Sequence, residues 1–338
     1  MFGMPPAPAG NAAWKEVTGL VPEEEPLVCI VWNEAGQLDP EGNISDKWLS
    51  NFGLQESLGK LKKAISKVAR EQAPPLVARF AEDVGWKLFS KAGMFSFETL
   101  DLENSTGNGS IIMRLGEDEE LLAEFLDDLM VEAEFESKVV RESKVYLMPE
   151  SPIPVAIGVH SGYLIAAVGN GQWKKITDHI DSKPTAPQWL ESRLDTVSIS
   201  RRSQFMNVNM EGLLETLPPE ATEDPGFNHV RETLKLDSLK RISISSGSDA
   251  TSNVSMFHVE CDKEEGLASV MNVPKIDRKK LGELPADSLA AAAIRISPST
   301  ILEFVRALTP PETFERAMTE IAEETGICLL YTSDAADE

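Results

Sequence analysis

The sequence predicts an α+β protein, with antiparallel sheets flanked by helices and a recurring strand-helix-strand-strand unit. Three observations carry that expectation. Short apolar runs at strand spacing alternate with longer runs at helical spacing. Gly, Pro, Asn and Asp cluster between the runs, where turns need them. A strand, a polar break and a helix follow one another three times, at 111–130, 205–217 and 291–308. The copies lie roughly ninety residues apart, too far for a solenoid repeat and suited to tandem α+β units.

The third copy, LPADSLAAAAIRISPSTILEFVRAL at 284–308, shows the grammar most fully. Residues 284–287 make a turn. Residues 288–296 read as a strand, in which Ile294 and Ile296 alternate with Arg295. Ser297 or Ser299 can accept a hydrogen bond from a free first-turn N–H, and Pro298 suits the first helical position. Ile301, Leu302, Val305 and Leu308 then make one apolar stripe.

From the start of the chain, residues 1–25 are expected to be a flexible lead; they lack the basic flank and apolar core of a signal peptide. PLVCIVWN at 26–33 is a buried strand. After a turn-rich loop at 34–43, Ser45 or Asp46 caps a helix in which Trp48, Leu49, Phe52, Leu58, Leu61, Ile65 and Val68 keep helical spacing. Pro74-Pro75 ends it, and a second helix over 76–92 is expected to pack antiparallel on the first. Strands at 95–102 and 110–115 form a hairpin around 104–109. A helix at 119–134 follows, its N-terminus favoured by the acids at 117–120.

Residues 139–149, 153–160 and 163–168 form a meander, with His160-Ser161-Gly162-Tyr163 as a tight turn. A short helix at 170–180 leads to a Pro-bearing linker at 183–187. Order resumes at 189–194, with strands at 195–201 and 204–208 and a helix at 210–217. An acidic loop at 221–226 and a helix at 227–234 follow. Strands at 239–246 and 255–261 pair, and 264–271 is a helix or turn. The expected division is a first unit at 26–182 with an N-terminal helix pair, a second at 188–273, and the start of a third at 274–327.

A net charge of −23 would repel a nucleic-acid duplex or an anionic bilayer, and no basic cluster is expected to offset it. The expected partners therefore exclude nucleic acid, and no run is long enough to insert across a membrane. Three Cys without paired spacing exclude a structural zinc site and a disulfide framework. Cys29 and Cys261 are expected as buried free thiols; a bond between them requires neighbouring strands.

The sequence assigns no catalytic, cofactor-binding or metal-ligating residue, and no cofactor. His160, His179, His229 and His258 lack a partner at metal-binding spacing and read as satisfied or solvated histidines. Ser161 sits in a strand–strand turn, whereas a hydrolase nucleophile elbow joins strand to helix. The Gly107-Asn108-Gly109 and Gly169-Asn170-Gly171 runs lack the lysine or helix context of a phosphate loop. Asp39, Glu41, Asn43, Ser45 and Asp46 form the most calcium-like oxygen cluster, with Gly42 misplaced for an EF-hand. Asn43, Asn104, Asn108 and Asn253 begin Asn-x-Ser/Thr triplets.

Several segments resemble a bacterial family of exported or membrane-anchored proteins of unknown function, built from tandem α+β units. They are LVCIVWNEAGQLDPEGNISDKWL (27–49), NGSIIMRLGEDEELLAEFLDDL (108–129), APQWLESRLDTVSISRRSQFMNVNMEGLLETL (186–217), LKLDSLKRISISSG (234–247) and LPADSLAAAAIRIS (284–297). The resemblance implies export and carries no site residue with it. CLLYTSDAADE at 328–338 resembles an in-frame translation of a sequencing adapter, which implies that the natural chain continues past Ile327. Three functions are expected from these readings: a non-enzymatic extracytoplasmic binding or structural module, a hydrolase with dispersed carboxylates, or a calcium-dependent adhesive domain.

Overall fold

The computed structural model describes residues 12–34, 47, 54–102, 104, 106–149, 151–196, 199–248, 253–263, 265–271 and 298–325. Ten strands join in one antiparallel sheet: β1 (Val28–Trp32), β2 (Gly93–Asp101), β3 (Thr106–Arg114), β4 (Glu136–Val140), β5 (Ser143–Leu147), β6 (Val155–His160), β7 (Tyr163–Val168), β8 (Arg201–Asn209), β9 (Leu239–Ser248) and β10 (Asn253–Cys261). Their order is β10-β9-β8-β1-β2-β3-β7-β6-β5-β4. The α+β class expected from the sequence is therefore observed. β1 pairs on one side with β2, Val28 opposite Phe97, and on the other with β8, Val28 opposite Val208.

Alternation along the strands feeds two helical layers. On one face Cys29, Val31, Met94, Ile112, Ile165 and Phe205 are buried beneath α1 (Ala12–Gly19), α6 (Gln172–Asp181) and α7 (Gln188–Leu194). Trp14, Val17, Trp173, Ile176 and Leu190 close that core. On the opposite face Tyr146, Ile157, Val159 and Leu164 meet Leu122, Phe125, Leu126 and Met130 of α5 (Glu119–Glu132). Neighbours such as Val145 and Tyr146, or Ile165 and Leu164, thus point into different layers, as the two-residue strand period requires.

The expected helix pair is present. α2 (Leu54–Gln72) is followed, after a short link, by α3 (Pro75–Arg79), a π-helical turn at Phe80–Val84 and α4 (Gly85–Ser90). Phe80 and Val84 pack into the α5 layer. Among the described residues, the main contacts of α2 are with its own hairpin partner, and Leu61, Ile65 and Val68 are each about half exposed. α2 also gathers Lys60, Lys62, Lys63, Lys67 and Arg70 against Glu56 and Glu71. This local excess of positive charge is hidden by the whole-chain sum and leaves the net charge at −23.

Other expectations are corrected. Residues 12–25 are not a lead: α1 buries Trp14 and Val17, because Ala13, Trp14 and Val17 share one helical face over the sheet. The expected strand at 139–149 is a hairpin, β4 and β5, turned at Arg141 and Glu142 with φ of 50° and 66°. Charged residues seldom take positive φ, so the sequence carries no turn signal there. The strand expected at 195–201 starts only at Arg201, since Asp195 and Thr196 complete the end of α7. The acidic loop is largely helical, with α9 (Pro219–Glu223) and α10 (Pro225–Leu234), the latter capped by Asp224 accepting from the Phe227 N–H at 2.7 Å. The strand expected at 288–296 lies outside the described residues, as does the adapter-like tail.

Contacts divide the chain into two units, Met1–Thr216 with Ile242–His258, and Leu217–Arg241 with Val259–Glu338. The linker expected at 183–187 runs within the first, where the Pro184 carbonyl leaves no room for a side chain at Gly19. α8 (Met210–Glu215) follows β8 in that unit. In the second unit α10 packs on α11 (Pro298–Leu308), where His229 Nε2 donates to the Ala307 carbonyl at 2.7 Å. α12 (Pro311–Thr325) returns Phe314 beneath the Arg306 guanidinium.

Trp14→Ala should cost about 3–5 kcal/mol in denaturant unfolding, as for a buried aromatic; a lead without a core role would lose under about 0.5 kcal/mol. Asp118, at the start of α5, accepts from Lys87 and Lys91, which hold its carboxyl below the usual range. A depressed carboxylate contributes stability above its unfolded pKa of about 3.9, and that stability is lost as pH falls through the lower folded value. Asp118→Asn should therefore be less stable than the parent at pH 7, and the difference should shrink in melting curves as the pH is lowered below the unfolded value of about 3.9.

Candidate functional site

Where α6 and the 20–26 loop overhang β2 and β3, the first unit opens a cleft of about 550 Å³. Its floor is Ser110 and Ile112 of β3. Its walls are Leu20, Pro22 and Pro26 on one side and Ile176 and His179 of α6 on the other. Glu23, Glu24, Glu25, Glu98 and Asp178 all contribute, so the cleft is strongly acidic. A concave, part-apolar site with a few converging polar groups is the physical form of a ligand pocket.

Glu98 reaches the cleft through a defect in the sheet. Phe97 faces Gly109 and Thr99 faces Asn108, so Glu98 is the extra residue of a β-bulge. A bulge re-aims the side chain it carries. The Glu98 carboxylate accepts from Lys175 Nζ at 2.5 Å and from Gln172 Nε2, both on α6. Its side chain is 12 % exposed, against 64 % for Lys175. The acid is largely buried and the ammonium largely solvated.

The two glycine-asparagine runs meet beside this point. Gly169 has φ of 112°, and a Cβ there would lie 1.9 Å from Asn108 Oδ1. Only glycine lets the start of α6 approach the β3 strand so closely. Asn108 Nδ2 in turn donates to Thr99 Oγ1 at 3.0 Å. Of the two runs expected to lack the lysine or helix context of a phosphate loop, 107–109 lies within β3 and 169–171 leads into α6, and together they bring α6 onto the bulge.

Glu25 closes the cleft from beneath. It accepts from Asn207 Nδ2 at 2.9 Å and lies 3.3 Å from Arg193. Asn207 is fully buried and also accepts from the Ser243 hydroxyl at 2.9 Å. Burial, and then the Glu25 charge, push the neighbouring Cys29 thiol up to about 12, so it stays protonated and poorly nucleophilic at neutral pH. Cys261 is also free, and its strand β10 is not adjacent to β1. Asp178 is held ionised by Lys174 and Arg141.

Sequence reasoning missed one further constellation. His160 lies at the end of β6, one residue before the Ser161-Gly162 turn, and is buried. Its Nδ1 is 2.9 Å from Ser143 Oγ and its Nε2 is 2.9 Å from Asp181 Oδ1. A carboxylate only accepts, so Nε2 carries the proton, and in the neutral ring Nδ1 accepts from the Ser143 hydroxyl. The order Ser–His–Asp is that of a hydrolytic triad, yet a triad needs room for substrate beside its nucleophile. Ser143 and His160 are each only 9 % exposed, and neither lines the cleft. The chain of bonds ties the C-terminal end of α6 to β5 and β6. No sequence spacing links these three residues; only adjacent hairpins and a helix end bring them together.

The remaining histidines fit the sequence reading. His179 Nε2 donates to the Gly19 carbonyl at 3.1 Å, and His258 is exposed on β10. The calcium-like cluster at 39–46 lies outside the described residues. Among the described residues there is no group of three or more His, Cys, Asp or Glu placed to hold a metal ion, and no helix long and apolar enough to cross a membrane. No protein-family model matches the chain, and no curated protein or solved structure shows significant similarity to it.

Ser143→Ala leaves a buried imidazole nitrogen without its donor and should cost about 1–3 kcal/mol in denaturant unfolding. A fluorophosphonate probe should leave Ser143 unlabelled in the native protein; labelling there would make it a nucleophile.

Proposed function

We propose that this protein is a non-catalytic binding module whose cleft receives an organic cation, such as a primary amine or a basic side chain of a partner. The observation that carries this reading is Glu98, turned off its strand into the cleft and already holding an ammonium group. Lys175 Nζ marks where a ligand's ammonium would sit. The lysine side chain is largely solvated, so its displacement into water costs little. Glu23 and Glu24 are exposed at the rim and would meet a second positive charge. Leu20, Ile112 and Ile176 offer apolar surface for a carbon chain. The resemblance to exported or membrane-anchored proteins supports an extracytoplasmic place for such a module.

Titration calorimetry with an aliphatic diamine and with an equal-charge inorganic salt tests the proposal. The diamine should bind and raise the melting temperature, since it binds only the folded state. Glu98→Gln should weaken binding about 10–100-fold, the range for losing a charge-assisted hydrogen bond in a shielded site. Lys175→Met removes the competing ammonium and should tighten binding several-fold. Equal heats for diamine and salt, or no effect of either substitution, would sink the idea.

A further inference from the structure

We infer that Asn170 is a site of spontaneous covalent modification, at which the turn that opens α6 converts a side-chain amide into a carboxylate. The chemistry needs only a backbone nitrogen and water. The Gly171 nitrogen gives up its proton and attacks Cγ of Asn170. The new N–Cγ bond closes a cyclic imide, and the Cγ–Nδ2 bond breaks to release ammonia. Water then opens the ring at either carbonyl. One product is aspartate. The other is isoaspartate, in which the main chain runs on through the side-chain carbon. Amide and water become carboxylate and ammonium, with no oxidant or reductant. A following glycine favours the attack, because no side chain shields its nitrogen.

The sequence holds two Asn-Gly pairs, 108–109 and 170–171, and the fold treats them oppositely. Asn170 and Gly171 are both exposed, and a Cβ at Gly171 would meet nothing within 4 Å. Gly171 stands outside α6 as its N-cap, with φ of 69° and ψ of 0°. Among the described residues, neither its N–H nor the Asn170 side chain makes a hydrogen bond, so nucleophile and electrophile are both free to meet. Asn108-Gly109 lies inside β3, where Gly109 faces Phe97 of β2 on one side and Val168 of β7 on the other. Asn108 Nδ2 donates to Thr99 Oγ1 at 3.0 Å, and Gly169 crowds its Oδ1. This pair can react only when the strand opens, and an opening free energy of about 1.4 kcal/mol already slows it tenfold. Conversion at Asn170 places a new negative charge at the start of α6, the helix whose Gln172 and Lys175 hold Glu98. It thus falls on a wall of the cleft, but the chemistry requires nothing of what the cleft binds.

Incubation of the full chain for several weeks in mildly alkaline buffer, followed by peptide mapping in a mass spectrometer, tests the inference. A protein-isoaspartate methyltransferase with S-adenosylmethionine serves as the probe for the isoaspartyl product. Asn170 should convert more than about tenfold faster than Asn108, the difference that strand opening sets. In urea, where the strand no longer protects Asn108, the two should convert at similar rates. The aged chain should also yield a more acidic species on anion exchange. Asn170→Gln should not yield it, because the longer side chain must close a larger and slower ring. This exposed, unbonded side chain has no packing role, so the variant should melt as the parent does. Native rates that are equal at the two sites overturn the inference, as does a tenfold preference that survives in urea. So does an Asn170 that stays intact in the native chain over the time in which the urea-unfolded chain converts.

Discussion

The first unit depends on the pairing of β1 with strands far away in the chain on both of its sides. Five residues, Val28 to Trp32, join the β2–β7 half of the sheet to β8. Cys29 and Val31 on this strand are fully buried under Trp14 and Val17 of α1. Without β1, α1 has no floor and the sheet has two unpaired edges, which a protein must cover or charge. Such long-range pairing is entropically costly to form, so this part of the fold is expected to be slow to assemble. It also sets the cleft, because residues 20–26 are the segment that connects α1 to β1.

Around that seam, polar groups are placed where burial makes them count. Glu25 is tied to Asn207 and Arg193, and Asn207 to Ser243, so the base of the cleft is a satisfied network rather than a loose acid cluster. Glu98 differs: its largely buried carboxylate is matched by a largely exposed surface ammonium. The Ser143–His160–Asp181 chain, buried at Ser143 and His160, instead fastens the end of α6 to β5 and β6. The same contrast divides the helices. α1 and α6 spend their apolar faces on the sheet; α2 keeps its own outside.

Much of the architecture was legible because it is written in local periodicity. The continuous apolar run of β1, the stripe of α5, the Pro74-Pro75 break and the Gly162 turn each follow from a few neighbouring residues. Where sequence and structure differ, the causes are specific. Pro, Gly and Ala near the start suggest a lead, whereas Trp14 and Val17 share one helical face over the sheet. Arg141 and Glu142 turn a hairpin without glycine or asparagine, so no turn signal marks them. The lysines of α2 were in plain view in LGKLKKAISKVAR, but summing charge over the chain erased them. Of the candidate site, the acidity was readable and the bulge was not, since an extra residue in a strand is defined only against its partner.

The amino-acid sequence by itself determined the α+β class, most helix and strand positions and the acidity of the surface. Each of these rests on residues within a turn or two of one another. The tertiary structure alone decided which strands are neighbours, that Glu98 leaves the ladder, that His160 finds Ser143 and Asp181, and that the α2 stripe stays uncovered. These are relations between segments far apart in the chain, fixed by packing and strand register, which no local pattern of residue types encodes.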